Sequence, residues 1–244
     1  MKSKCVNVTG YYDDKLSAER LMRCYEIAPP RVQQYLKAEI EHVLQKIRPG
    51  DLVLELGCGY GRVLRRLVSK ARMVIGIDTS LASLLLGQDM LKDVSNCKLI
   101  SMNALHLAFC DRTFDLVTCI QNGISAFHVN QKDLIRESIR VTKPRGTILF
   151  SSYSDKFWDD RLEWFKLQSE AGLLGELDPE KTGDGVIVCK DGFTGTTVRP
   201  EQFLSLTAGL NVYVQLVEVD ESSLFCEILP SQSGLWAGEG LQLR

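Results

Sequence analysis

The ten residues Val53-Leu54-Glu55-Leu56-Gly57-Cys58-Gly59-Tyr60-Gly61-Arg62 decide how this chain is read. An apolar run closes on an acid, Glu55, and glycines then take every second position before a helical pattern begins. Glycine lets a backbone turn sharply and approach a ligand closely, so the spacing fits a β-to-α turn with or without a bound molecule against it. The nicotinamide fingerprint G-x-G-x-x-G is not met, because its last position, counted from Gly57, falls on Arg62.

Upstream, residues 31–47 place Val32, Tyr35, Leu36, Ile40, Val43, Leu44 and Ile47 at helical spacing, entered through Pro29-Pro30 and stopped by Pro49-Gly50. Downstream the spacing predicts strands at 52–56, 73–77, 98–102, 114–120 and 147–152, with helices at about 62–70, 81–91 and 131–142 between them. Parallel neighbours need crossovers, and those crossovers cover both faces of the sheet. Beyond Ser152 the rhythm breaks. A helical, aromatic-rich run at 155–174 precedes a turn-rich link, a hairpin at 186–198 turning at Asp191-Gly192, a helix from Arg199 with Pro200 in its first turn, and two antiparallel strands joined by a short polar link at 220–223. The expected organisation is one domain over 1–244. It comprises an N-terminal helical segment (1–48), a core (51–153), a cap-like insertion (about 155–198), a C-terminal helix and strand pair (199–230), and a tail without period from Ser231.

At 244 residues, 45% apolar and 25% charged, the composition is that of an ordinary globular chain. The formal charge of −2 gives no general attraction to phosphate backbones, so no nucleic-acid partner is expected, although a local basic patch stays open. The eight cysteines are dispersed, with no C-x-x-C pair and no histidine to complete a zinc set, which predicts reduced thiols and no metal. The opening residues lack the apolar stretch of a signal peptide, and no run approaches the ~20 apolar residues of a membrane span. The expectation is a soluble, cytoplasmic protein.

Asp78 ends the second strand, where a carboxylate can accept from a ribose diol or cap the following helix. Taken in order, LELGCGYG (54–61), IGID (75–78), SMNALHLAF (101–109), FDLVTC (114–119) and RVTKPRGTILF (140–150) resemble the successive motifs of class I S-adenosylmethionine-dependent methyltransferases. The resemblance covers residues 51–153. It implies a Rossmann-like α/β fold whose seven-stranded sheet is mostly parallel with an antiparallel last strand, and S-adenosyl-L-methionine as cofactor. It also implies roles. Glu55 and the loop of Gly57, Cys58, Gly59 and Gly61 would hold the methionine end. Asp78, followed by Thr79, would bind the ribose; Asn103 and Ala104 would meet adenine; Ile120, Gln121 and Asn122 would flank the sulfonium and its amino group. Two residues depart from the family pattern: Asn103 stands where an aspartate is common, and Arg145 where a glycine is.

Methyl transfer from a sulfonium is an in-line displacement that depends chiefly on orientation, and a general base matters only when the acceptor must lose a proton. Of the three histidines, His42 falls on the polar side of the 31–47 helix and reads as solvated, and His106 as packing near the adenine. His128 borders the expected acceptor pocket and is the candidate base. Tyr11, Tyr12 and Tyr25 either close over the cofactor or anchor the N-terminal segment; Trp158, with Phe157, Trp164 and Phe165, either touches substrate or packs. The charged residues among them, Asp159, Asp160, Arg161 and Glu163, read as a solvated face. The leading functional reading is a methyltransferase for a small-molecule acceptor. The alternatives are a protein or RNA acceptor, or a cofactor-binding protein without turnover.

Overall fold

The alternation read from the sequence closes into one sheet in the computed structural model, which describes residues 10–231. The N-terminal segment forms α1 (Tyr11–Asp14), α2 (Ala18–Glu26) and α3 (Pro30–Lys46). The alternating core follows: β1 (Leu52–Leu56), α4 (Leu64–Leu67), β2 (Met73–Asp78), α5 (Leu81–Met90), β3 (Cys97–Ser101), β4 (Phe114–Cys119), α6 (Gly123–Ala126), α7 (Gln131–Val141) and β5 (Thr142–Tyr153). A 3₁₀ turn (Asp155–Phe157) leads into α8 (Trp158–Glu170), the hairpin β6 (Val186–Val188) and β7 (Thr194–Thr196), α9 (Pro200–Thr207), β8 (Val212–Val219) and β9 (Ser223–Pro230). The residues before Gly10 and the C-terminal tail after Ser231 lie outside the described residues.

The seven-stranded sheet runs β3-β2-β1-β4-β5-β9-β8. Its first five strands are parallel, and β9 is antiparallel to both β5 and β8. Alternate residues of β1 explain why helices cover both faces. Val53 joins Ile40 and Val43 of α3 and Leu64 of α4 in one apolar layer. Leu54 and Leu56 join Leu134 and Ile135 of α7 and Phe203 of α9 in the other. Each such side chain, withdrawn fully from water, contributes about 1.5–3 kcal/mol. A third apolar cluster, with Tyr35, Phe157, Trp164 and Phe193, packs the inserted segment against α1–α3.

Several expectations change. His42 is not solvated: its side chain is 10% exposed, its Nε2 lies 2.8 Å from Glu227 Oε1, and its ring sits 4.4 Å from that of Phe225. Lys46 donates to the other Glu227 oxygen at 2.7 Å. The polar side of α3 thus meets an acid on β9, a partner that helical period alone cannot reveal. Arg161 is not on a solvated face either, being 1% exposed, while Asp159 and Glu163 are exposed as expected. Its guanidinium donates to Gly185 O (3.1 Å), Gly195 O (2.9 Å) and Thr197 Oγ1 (2.8 Å), acceptors on the hairpin that α8 covers. The helix expected at 62–70 narrows to α4 between turns. Strand β5 begins earlier than expected, with an irregularity that pairs Phe114 with Thr142 but Leu116 with Thr147. Arg145 lies within that bulge at φ +70°, the left-handed region that glycine occupies without penalty. No described helix is long and apolar enough to cross a membrane, and no described group of His, Cys, Asp or Glu is placed to hold a metal ion.

Candidate functional site

Strand order reverses between β1 and β4, so the chains leaving their carboxyl ends diverge and open a crevice, the usual ligand site of open α/β sheets. A cleft of about 260 Å³ fills it. Gly57 and Cys58 donate their backbone N–H groups to Ile77 O at 2.8 and 2.9 Å, folding the glycine loop onto the end of β2. Gly57 has φ +72°, and a Cβ there would lie 2.5 Å from the ring of Phe127. No other residue fits without displacing that wall.

Asp78 accepts hydrogen bonds from the backbone of the glycine loop and of the entry to α5. One carboxylate oxygen accepts from Gly59 N at 2.7 Å, the other accepts from Ser80 N at 2.8 Å just ahead of α5, and the residue also lines the cleft. Burial raises its carboxyl above the usual range, and the backbone hydrogen bonds oppose that rise. Each carboxylate oxygen keeps a second acceptor site.

The cleft gathers Asp78, Thr79, Asn103 and Ala104 from the ends of β2 and β3, Gly57 and Gly59 from the loop after β1, and Ile120 and Gln121 from the end of β4. Tyr12 and Tyr25 close it from the N-terminal helices. Asn103 Oδ1 accepts from Leu105 N at 2.8 Å, which fixes the turn after β3. Other candidates lie elsewhere. Gly61 is apart from the cleft, and its missing Cβ leaves room for Leu91, 2.6 Å from where that atom would stand. Cys58 is buried against Gly76 of β2. Tyr11 donates to Asp191 Oδ2 at 2.6 Å and packs edge-on to Phe193, pinning the N-terminal segment to the hairpin. Trp158 borders a separate recess with Arg161 and Arg199. His128 is exposed with φ +51° and does not line the cleft, although Phe127 and Val129 on either side of it do.

Beneath the glycine loop, Glu55 is 3% exposed and its Oε2 has no hydrogen-bond partner. Burial pushes its carboxyl up to about 8, with Arg62 opposing and Asp78 adding to the rise. Arg62, singled out above only as the residue that breaks a nicotinamide fingerprint, has buried, unpartnered Nε and Nη2 atoms, and its guanidinium lies 4.3 Å from the Tyr25 ring centre.

The end of β4 carries the least expected construction. Gln121 and Asn122 both have left-handed φ, +57° and +61°. Gln121 N donates to Glu39 Oε2 (2.8 Å) and Ser151 Oγ (2.9 Å). Asn122, 4% exposed, donates to Thr196 O (3.0 Å) and accepts from Ser152 Oγ (2.8 Å). Tyr25 OH donates to Gln121 Oε1 at 3.2 Å. Glu39, fully buried on α3, was legible as an acid three residues after Leu36 and next to Ile40, on the apolar face of that helix.

Burial lifts the Glu39 carboxyl from its ordinary 4.5 to about 7, against hydrogen bonds from Ser223, Ser151 and the Gln121 backbone. A raised folded-state value stabilises the protein below pH 4.5, and that contribution is lost as pH rises through 7; the difference is on the order of 3 kcal/mol. Urea unfolding between pH 5 and 8 should therefore show stability falling with pH, and more shallowly in Glu39→Gln. Parallel slopes in the two proteins would exclude Glu39 as the source.

Comparison with known proteins places these features. Residues 53–146 match a family model described as a methyltransferase domain. The ubiquinone/menaquinone biosynthesis C-methyltransferase UbiE of Haemophilus ducreyi is 32% identical over 120 residues, 46% of this chain and 45% of that protein. The chain spans about half the length of the curated relatives it matches. Among solved structures, the N-methyltransferase NodS of Bradyrhizobium japonicum, in complex with S-adenosyl-L-homocysteine, superposes with a TM-score of 0.60 at 13% identity, covering 89% of this chain and 95% of that one. The [4+2]-cyclase SpnF superposes with a TM-score of 0.57 at 15% identity, covering 79% and 80%.

Proposed function

Residues 53–146 belong to the class I S-adenosylmethionine-dependent methyltransferase family, and on that premise we propose that this chain methylates a small-molecule acceptor. The observation that carries the proposal is the cleft itself, where the glycine loop, the Asp78 carboxylate and Gln121 meet at the switch point of the sheet. The orphaned polar atoms supply a test of fit. A zwitterionic amino-acid end would give Glu55 Oε2 a cation and Arg62 Nε and Nη2 an anion, which these buried groups otherwise lack. The enclosure by Tyr12 of α1 and Tyr25 of α2 favours a metabolite over a polymer. Similarity to UbiE, a ubiquinone/menaquinone biosynthesis C-methyltransferase, is consistent with a small acceptor. The described cysteines are all free, which suits a reducing, cytoplasmic setting.

When bound, S-adenosylmethionine supplies an electrophilic methyl group. The residues of this chain bind and orient. Asp78 accepts hydrogen bonds, Glu55 and Arg62 fix the charged end, and Gln121 with Tyr25 forms the wall toward which an acceptor approaches. The aromatic surroundings exclude water. No histidine lines the cleft, so on this reading the acceptor arrives already competent to react, and orientation supplies the rate.

Calorimetry provides the test. A Glu55 carboxyl at about 8 is mostly protonated at pH 7, and an ammonium beside it favours the ionised form. Binding of S-adenosylmethionine at pH 7 should therefore release a proton, seen as a dependence of the heat on buffer ionisation enthalpy. Affinity should rise with pH up to about 8. Glu55→Gln should abolish both effects. Absence of any binding would sink the cofactor assignment; binding without proton release would remove Glu55 from the contact.

A further inference from the structure

Next to the cofactor cleft lies a smaller chamber of about 50 Å³, which shares Tyr25 and Gln121 with it and is walled further by Tyr35, Tyr153, Trp164 and Gln168. A space that size holds a group of only a few non-hydrogen atoms. Its walls come from α1, α2, α3, α8 and the ends of β4 and β5, so it is built by the segments outside the glycine-loop motifs.

Two observations define its chemistry. First, the walls carry unpartnered polar atoms that are buried: Nε2 of Gln168 (3% exposed), Nε2 of Gln121, and the hydroxyl of Tyr35 (0% exposed). Two of the three are pure donors, and the third donates or accepts. The one nearby indole N–H, of Trp164, is already taken by Cys24 O at 2.8 Å. Second, two of the tyrosine walls, Tyr25 and Tyr153, each carry a guanidinium against the ring. Arg62 sits 4.3 Å from the Tyr25 ring centre and Arg161 4.1 Å from that of Tyr153. Arg62 lies within electrostatic reach of the buried Glu55 and Glu39. The nearest acid bonded to this wall, Glu39, has its oxygens taken by Gln121 N and by the hydroxyl of Ser223 at 2.7 Å.

A ring already attracting one cation is a poor host for another, so the aromatic walls do not make a cage for an ammonium group. Buried, unpartnered N–H donors, with guanidiniums beyond the rings and no acid lining the chamber, call for an acceptor bearing negative charge. We infer that the chamber receives the carboxylate of a small acid, the methyl acceptor, held by Gln168 and Tyr35 with Gln121 at the boundary to the cofactor. The inference rests on the methyltransferase reading. A carboxylate has three non-hydrogen atoms and fits; a bulky ring or a lipid chain does not enter.

The test uses propionate and propylammonium as matched probes on the full chain saturated with S-adenosylhomocysteine, whose own binding is measured first. Propionate should shift the side-chain amide signals of Gln168 and Gln121 in nitrogen-edited NMR, and propylammonium should not. Gln168→Leu should weaken propionate binding by about tenfold or more with homocysteine-ligand affinity unchanged. Gln168→Glu should reverse the preference toward propylammonium. If the leucine variant does not fold, Tyr35→Phe, which deletes one hydroxyl, should still weaken propionate. Propylammonium bound as well as propionate, no shift with either probe because the chamber holds only water, or full propionate affinity in the variants would each overturn the inference. Failure of S-adenosylhomocysteine to bind would instead remove the methyltransferase reading beneath it.

Discussion

Asp78→Ala is expected to weaken S-adenosylhomocysteine binding by about 1–3 kcal/mol, roughly 5- to 150-fold, and to destabilise the ligand-free protein by about 1 kcal/mol as well. The double effect follows from the geometry. A residue that only touched ligand would change affinity and leave folding alone, whereas this carboxylate also accepts from Gly59 N and Ser80 N. Removing it frees the glycine loop from the entry to α5 and leaves two backbone donors to find other partners. Asp78→Asn separates the two roles. Its amide oxygen can still accept from one of those amides, so most of the stability should return, while the charge that a ribose diol would meet does not. Calorimetric titration and urea unfolding of the three proteins check this. Unchanged affinity in a folded alanine variant would remove Asp78 from the ligand contact.

Arg161→Ala should be the most destabilising single change considered, by about 3–5 kcal/mol, because it strips donors from buried acceptors and empties a large buried volume. In a chain of this length that corresponds to a drop in Tm of about 6–20 °C. The guanidinium bridges Gly185 O, Gly195 O and Thr197 Oγ1, and so holds both edges of the β6–β7 hairpin to α8. It is also stacked on Tyr153 at the end of β5. Arg161→Lys keeps a charge but lacks the planar fork that reaches these acceptors together, and should recover only part of the loss. Burial holds the arginine below its usual range, so the hydrogen bonds from its two terminal nitrogens offset the cost of placing it there. Differential scanning calorimetry decides the matter. A Tm within about 3 °C of the parent would show that the hairpin does not depend on this residue.

Much of the architecture was legible because local rules and global fold agree. Strand β1 matched the expected residues, since a buried parallel strand reads as an unbroken apolar run and the glycine loop ends it abruptly. The hairpin turn at Asp191-Gly192 was legible from turn chemistry, and Gly192 has φ +101°. Long-range polar pairing was not legible. His42 and Glu227 are 185 positions apart, and Arg161 finds its acceptors 24 to 36 positions away, so helical period assigned both to water. At the site, the ordered motifs located the residues that surround the cleft, yet motif membership did not say which of them face it. Gly61 shares a pattern with Gly57 and Gly59 but serves the packing of Leu91. His128 follows Phe127 in sequence, but its left-handed backbone leaves it exposed while Phe127 and Val129 face the cleft. Glu39 carries a usable signal, an acid among apolar neighbours on one helical face.

The bend formed by Gln121 and Asn122 bears on how such a protein diversifies. Left-handed backbone at a residue with a side chain costs on the order of 1–2 kcal/mol, so the shape persists only while outside groups enforce it. Those groups belong to α3, β5 and the inserted hairpin: Glu39, Ser151, Ser152 and Thr196. None of them lies in the glycine loop or on β2. A lineage can therefore re-aim this corner of the cleft through changes at those four positions while the glycine loop and β2 are inherited intact.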